Sequence, residues 1–288
     1  MTFTDYVFEE FKNSDKIAVI DKDKISYREI YGGVNYITYL LQENGCSKEN
    51  SVLLISDNSV FFIKTYFGII KNGSICIPIN PAISENDIRY IMDILEIKIV
   101  FCQRKYRNKV DKIVCRDTMV YSEESVWASK DETDSSSFIE EKEDTALIMF
   151  TSGSTSKPKG VMLTHYNLMY NTNSIIEYLK LTKNDRVEVV LPFYYCYGTS
   201  LLNTHFRCGG SVVINNKFMF PETVIEDIKE YSCTGFAGVP STYQILLRMT
   251  SIKTIKLPSL RYVTQAGGRL PEVFISEFQA GKQKYFTA

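Results

Sequence analysis

The sequence predicts an α/β protein with mostly parallel β-sheets and helices on both faces. Two observations carry that expectation. Short apolar runs of strand length alternate with amphipathic stretches of helix length, which is the order a parallel sheet with crossover helices requires. The composition, 44% hydrophobic and 23% charged over 288 residues, is that of a globular chain long enough to bury a sizeable core.

The elements follow in order. Val52-Leu53-Leu54-Ile55 reads as a buried strand. Ser59 caps a helix running to Lys71, closed by Asn72-Gly73. Ile75 to Ile79 is a second strand, and Ser84-x-x-Asp87 opens a helix through Leu95. Ile99 to Cys102 is a third strand. Ala128 to Asp144 breaks the rhythm: it is rich in Ser, Asp, Glu and Lys and reads as an exposed linker. Strands are expected again at Ala146–Phe150, Val187–Leu191, Ser211–Ile214, Thr234–Ala237 and Arg261–Thr264. Thr164 caps a helix from His165 to about Leu179. Further helices fit Pro221–Tyr231, Pro240–Met249 and Pro271–Phe278, each with proline at an early position. Lys284 to Ala288 resembles the start of another strand. The division expected from this pattern is a first α/β subdomain over 1–128, an acidic, serine-rich linker over 129–144, and a second α/β subdomain over 145–288.

Charge and cysteine usage exclude several functions. The net charge of −1, with lysines interleaved among acids, provides no field for nucleic acid. The longest apolar run, Val60 to Ile70, is broken by Lys64 and is too short to span a bilayer. Asp5, Glu9 and Glu10 in the first residues are unlike a secretory signal. Seven scattered cysteines with no C-x-x-C pair argue against a disulfide framework or a zinc cage and for a reducing, cytoplasmic setting. No metal site is expected. Of the two histidines, His165 is expected to be structural.

The chemistry concentrates at Thr151-Ser152-Gly153-Ser154-Thr155-Ser156-Lys157-Pro158-Lys159-Gly160, directly after a strand. Small hydroxyl residues and glycine let backbone N–H groups and hydroxyls approach phosphate oxygens, and the two lysines add positive charge. The G-x-x-x-x-G-K-S/T pattern fails. Counted from Gly153, Pro158 sits where glycine belongs and Gly160 where Ser/Thr belongs. Ser154-x-x-Lys157 with Ser56-Asp57-Asn58 mimics penicillin-recognising hydrolases. There the S-x-x-K must open a helix, which Pro158 forbids, and no K-T-G exists. A plain polar surface loop is the remaining alternative.

The decapeptide, with Val161-Met162-Leu163-Thr164-His165-Tyr166-Asn167-Leu168 behind it, resembles the phosphate-binding signature of the acyl-adenylate-forming superfamily. That family includes acyl-CoA synthetases, nonribosomal peptide adenylation domains and firefly luciferase. Further landmarks keep the family's order. Leu191-Pro192-Phe193-Tyr194-Tyr195-Cys196-Tyr197-Gly198 and Gly238-Val239-Pro240-Ser241 resemble acyl-pocket segments. Leu260 to Leu270, with Gly267-Gly268, resembles the strand-turn that flanks adenine and the acyl group. Ile25-Ser26-Tyr27-Arg28-Glu29 is similar to an early family element.

The resemblance implies activation of a carboxylic acid with ATP to an acyl-AMP, then transfer to a thiol of coenzyme A or of a carrier protein's phosphopantetheine. It implies phosphate contacts at Thr151, Ser152, Gly153, Ser154, Thr155 and Lys159, with Lys157 a solvated flank. It implies adenine and acyl contacts at Gly267 and Gly268, and acyl-pocket walls at Tyr194, Tyr195, Gly238 and Val239. Ser156 replaces the usual glycine, which at positive φ costs about 1–2 kcal/mol. Tyr195 stands where many acyl-CoA synthetases have histidine. The family's magnesium-holding glutamate, ribose-binding aspartate and catalytic lysine have no counterpart before Ala288. The chain is therefore expected to be an N-terminal portion inactive alone, with a non-catalytic remnant or one part of a split enzyme as the alternative.

Overall fold

A computed structural model describes residues 1–127, 144–151 and 157–280. Its strands are β1 (Ile17–Ile20), β2 (Lys24–Ser26), β3 (Ser51–Ile55), β4 (Ile75–Ile79), β5 (Ile99–Cys102), β6 (Met119–Tyr121), β7 (Thr145–Thr151), β8 (Lys159–Thr164), β9 (Arg186–Val189), β10 (Ser211–Ile214), β11 (Gly235–Gly238) and β12 (Tyr262–Gln265). They form two mostly parallel sheets with helices, the architecture expected from the sequence.

The chain divides into two compact units. Unit 1 holds Met1–Lys16, Ser26–Thr172 and Phe193–Cys196. Unit 2 holds Ile17–Ile25, Asn173–Pro192 and the chain from Tyr197 onward. This differs from a cut at 128/145. The reason lies in the pairing. β7 aligns in parallel with β4, Cys76 opposite Leu147, so the strand after the linker completes the first sheet. β1 pairs in parallel with β10 in the second sheet. Residues 128–143 of the expected linker and the expected strand at 284–288 lie outside the described residues.

In unit 1 the sheet order is β6-β5-β3-β4-β7-β8. Its pairings are parallel except for β8, which runs antiparallel to β7. The helix Val60–Lys71 is buried along its whole length, as an all-round apolar sequence demands. Ser59 caps it, accepting from the Phe62 N–H at 3.0 Å. Its two lysines are accommodated individually. Lys71 donates to Asn35 and lies 4.9 Å over the Tyr31 ring, while burial pushes the Lys64 amine down to about 8. The helix Tyr27–Glu43, not expected from the sequence, packs its Tyr27, Ile30, Val34, Ile37 and Leu41 face inward. Its start is a capping box between Ser26 and Glu29.

In unit 2 the order is β12-β11-β9-β10-β1-β2. Its core gathers Val213, Ile228, Phe236, Tyr243, Leu246 and Val263. No helix among the described residues is long and apolar enough to cross a membrane.

Both histidines are buried and neutral. In unit 1, His165 Nδ1 accepts from the Phe3 N–H at 3.0 Å, so the ring proton sits on Nε2. In unit 2, His205 Nδ1 lies 2.8 Å from the Leu201 carbonyl and Nε2 2.7 Å from the Tyr262 hydroxyl. The carbonyl can only accept, so Nδ1 carries the proton and the tyrosine donates to Nε2. Burial pulls each imidazole down to about 4 from 6.5. A depressed histidine favours folding most above its unfolded value, and that contribution fades as pH falls through the folded one. The histidines' own contribution to thermal stability is therefore expected to hold above about pH 6.5 and to be lost toward pH 4, roughly 3 kcal/mol for each. His205→Gln should make that decline shallower in melts across the same pH range. An unchanged slope would contradict the assignment.

Candidate functional site

The described ends of the segment singled out by the sequence lie on two antiparallel strands. β7 and β8 pair with Phe150 opposite Gly160 and Thr151 opposite Lys159. The Thr151 hydroxyl lies 3.5 Å from the Lys159 carbonyl. The sequence reading assigned no element to 159–164 and missed this strand, which is mostly exposed at the sheet edge. Past it, Thr164 Oγ1 accepts from the Asn167 N–H and Asn167 Oδ1 from the Thr164 N–H, both at 3.1 Å, and the expected helix His165–Leu179 begins. Ser152, Gly153, Ser154 and Thr155 lie outside the described residues.

The tyrosine segment is fixed to the same unit by three contacts. Asn58 Oδ1 accepts from the Phe193 N–H at 2.7 Å in a buried setting, and the Phe193 ring lies 5.5 Å from that of Phe62. Asn80 Nδ2 donates to the Tyr195 hydroxyl at 3.3 Å. Tyr194 and Tyr195 meet edge to face at 4.8 Å. Asn58 belongs to the Ser56-Asp57-Asn58 triplet that mimics a hydrolase motif. Its observed work is to hold a backbone N–H. Its neighbour Asp57 accepts from the Tyr106 hydroxyl at 2.7 Å and pairs with Lys105. Burial pushes the Tyr194 phenol up to about 12.

These anchors produce a cavity of about 260 Å³. Thr151, Lys157 and Pro158 line it from the hairpin, Tyr194 and Tyr195 from the tyrosine segment, and Asn80 and Asp87 from the turn and helix after β4. Lys157 is exposed at the surface, but its ammonium lies 4.5 Å over the Tyr90 ring. Lys159 is exposed on β8 and is not among the lining residues. Asn80 and Tyr90 carried no signal in the sequence, and Asp87 carried only that of a helix start, because their neighbourhood depends on a long-range pairing. Among the described residues, no group of three or more His, Cys, Asp or Glu could hold a metal ion.

Unit 2 carries the other singled-out residues at the carboxyl ends of β11 and β12, where parallel sheets present ligand sites. Gly238 is in register with Gln265. Gly267 has φ +81°, a conformation that favours glycine, and a side chain there would begin 3.3 Å from Val239 Cγ1. Below this turn, the Tyr197 and Thr264 hydroxyls are 2.8 Å apart, and Tyr243 donates to the Thr264 carbonyl. Gln265 Oε1 is buried with no hydrogen-bond partner among the described residues.

Two mostly parallel sheets with helices place the chain in the α/β class. The AMP-binding enzyme family model matches residues 9–284, and the chain belongs to that family. It is 29% identical over 210 residues to bacitracin synthase 2 of Bacillus licheniformis, covering 72% of this chain and 8% of that protein. It is 23% identical over 290 residues to an oxalate–CoA ligase of Arabidopsis thaliana, covering 95% and 56%. The crystal structure of ATP-bound MatB from Rhodopseudomonas palustris superposes with a TM-score of 0.89 at 24% identity, covering 97% of this chain and 58% of that one. The chain thus spans little more than half of the ligase and a small fraction of the synthase.

Gly198 tests the local packing. A Cβ there would sit 2.1 Å from the Pro192 carbonyl oxygen, a backbone atom that cannot swing aside. Gly198→Ala should destabilise by about 1–3 kcal/mol, seen as a lower midpoint in urea. A variant as stable as the parent would refute the close approach.

Proposed function

We propose that this chain carries the ATP- and acid-handling portion of an AMP-forming carboxylate ligase. The observation that carries the reading is the cavity in unit 1, where the stem of the hydroxyl-rich turn and the tyrosine segment form one wall system. In the reaction, a carboxylate oxygen bonds to the α-phosphorus of ATP and the bond to pyrophosphate breaks, giving acyl-AMP. A thiol then displaces AMP. The obstacle in the first step is anion approaching anion, and the remedy is positioned positive charge and N–H donors.

Thr151, Ser152, Gly153, Ser154, Thr155 and Lys159 are assigned to the phosphates. Tyr194 and Tyr195 are assigned to the wall beside the acid, with Gly238 and Val239 as acyl-facing residues of unit 2. Gly267 and Gly268 are assigned to the adenine- and acyl-facing turn. The orphaned Gln265 Oε1 is an acceptor suited to a ligand N–H or O–H. The described residues supply no acidic cluster for magnesium, so no step is assigned to that ion. The acceptor is coenzyme A or a carrier-protein phosphopantetheine. The acid is a fatty, aryl or amino acid. Seven scattered cysteines with no C-x-x-C pair support a reducing, cytoplasmic setting.

The test is calorimetric binding of ATP to this chain, followed by acid-dependent exchange of labelled pyrophosphate into ATP by the protein as the cell makes it. ATP binding with exchange for one acid class is the expected result. Absence of ATP binding would overturn the reading. Lys159→Ala is expected to weaken ATP binding at least about tenfold, the loss of one charge-assisted contact. It should do so more than any substitution at Lys157, and equal effects would undo that ranking.

A further inference from the structure

We propose that Tyr90, on the helix Glu85–Ile94, is a positioning residue that docks the Lys157 ammonium on its ring face and so fixes the stem of the phosphate loop. The proposal rests on reading 151–160 as that loop.

The Lys157 Nζ lies 4.5 Å from the Tyr90 ring centroid. That is inside the roughly 6 Å within which a ring face attracts a cation. The ring itself is not free to follow the lysine, because Tyr90 is half-buried against the core around Ile88, Ile91 and Ile113. Asp87, one turn earlier on the same helix, lines the same cavity as Lys157 and adds negative charge nearby. Its carboxylate is held by the Ser84 hydroxyl at 2.6 Å.

The covalent chain makes this contact consequential. Lys159 is locked in the ladder opposite Thr151. Only Pro158 separates it from Lys157, and proline fixes φ near −65° and disfavours helical backbone at the residue before it. With Lys159 paired, Pro158 stiff and Lys157 docked, the backbone is held at three consecutive residues. Lys157 then serves the phosphates through the backbone it steadies, and Lys159 supplies charge.

The contact is tested first without nucleotide. Lysines are methylated reductively with a ¹³C label, and the Lys157 signal is identified by its loss in Lys157→Arg. Ring-current displacement of that signal in the parent, kept in Tyr90→Phe and abolished in Tyr90→Leu, is expected. An identical signal in the parent and in Tyr90→Leu overturns the proposal whether or not ATP binds.

The consequence is tested by calorimetry with ATP. Tyr90→Leu and Lys157→Met should each weaken binding about two- to fivefold, as an exposed cation–π contact permits. The double variant should be no weaker than either single one, and Tyr90→Phe should restore binding because it keeps the ring. Weakening by Lys157→Met with no effect of Tyr90→Leu would overturn the proposal and make Lys157 a direct phosphate ligand. If the parent shows the ring-current shift but binds no ATP, the docking stands and the phosphate-loop reading fails.

Discussion

The pairing of β7 with β8 is the constraint on which the site in unit 1 depends. A turn rich in serine, threonine and glycine has little apolar surface with which to fix itself. Its ends are fixed instead by a ladder: Thr151 faces Lys159, and β7 continues inward through buried Ala146, Leu147, Ile148 and Met149. The residues at either end of the polar segment therefore take their position from a buried strand. The tyrosine segment is placed by a similar device. The Phe193 N–H is satisfied by buried Asn58, and its ring fills space beside Phe62. Leaving that N–H unpaired would cost about 1–3 kcal/mol, so the hydrogen bond selects one seating for the residues that follow.

Much of this was legible in the sequence. The runs at Val52, Ile75 and Ile99 became β3, β4 and β5 almost residue for residue, because strands buried on both faces read as unbroken apolar stretches. The caps at Ser59, Ser84 and Thr164 were legible for a local reason: each side chain accepts from an N–H three residues on. What escaped was either atypical in composition or long-range. The helix Tyr27–Glu43 contains Gly32-Gly33 and several tyrosines, poor helix formers whose cost is offset by a buried face. β8 is exposed over Lys159–Met162 on both faces, so no alternation of buried and exposed residues marks it in the sequence. The division into units was illegible because it depends on which strand pairs with which.

The site divides along the same line. Residue identity suggested Thr151, Tyr194 and Tyr195, and all three line the cavity. Residue identity could not reveal Asn80 and Asp87, which line that cavity, or Tyr90, which meets Lys157, because the crossover after β4 brings them there. Nor could it rank the two lysines by surroundings. Pro158 puts them on different paths, Lys159 into the ladder and Lys157 toward the helix Glu85–Ile94.

Two lysines two residues apart thus have different physical tasks. A cation over a ring gives up little hydration and gains a directional but weak attraction, which suits holding a backbone in place. A strand cation with no such partner among the described residues keeps its charge available for an arriving anion. A phosphate loop needs both kinds, since charge without position gives affinity without alignment, and anion transfer to phosphorus is governed by alignment as much as by neutralisation. On this view Pro158 is the element that lets one short sequence provide both, by preventing Lys157 and Lys159 from sharing a single regular backbone path.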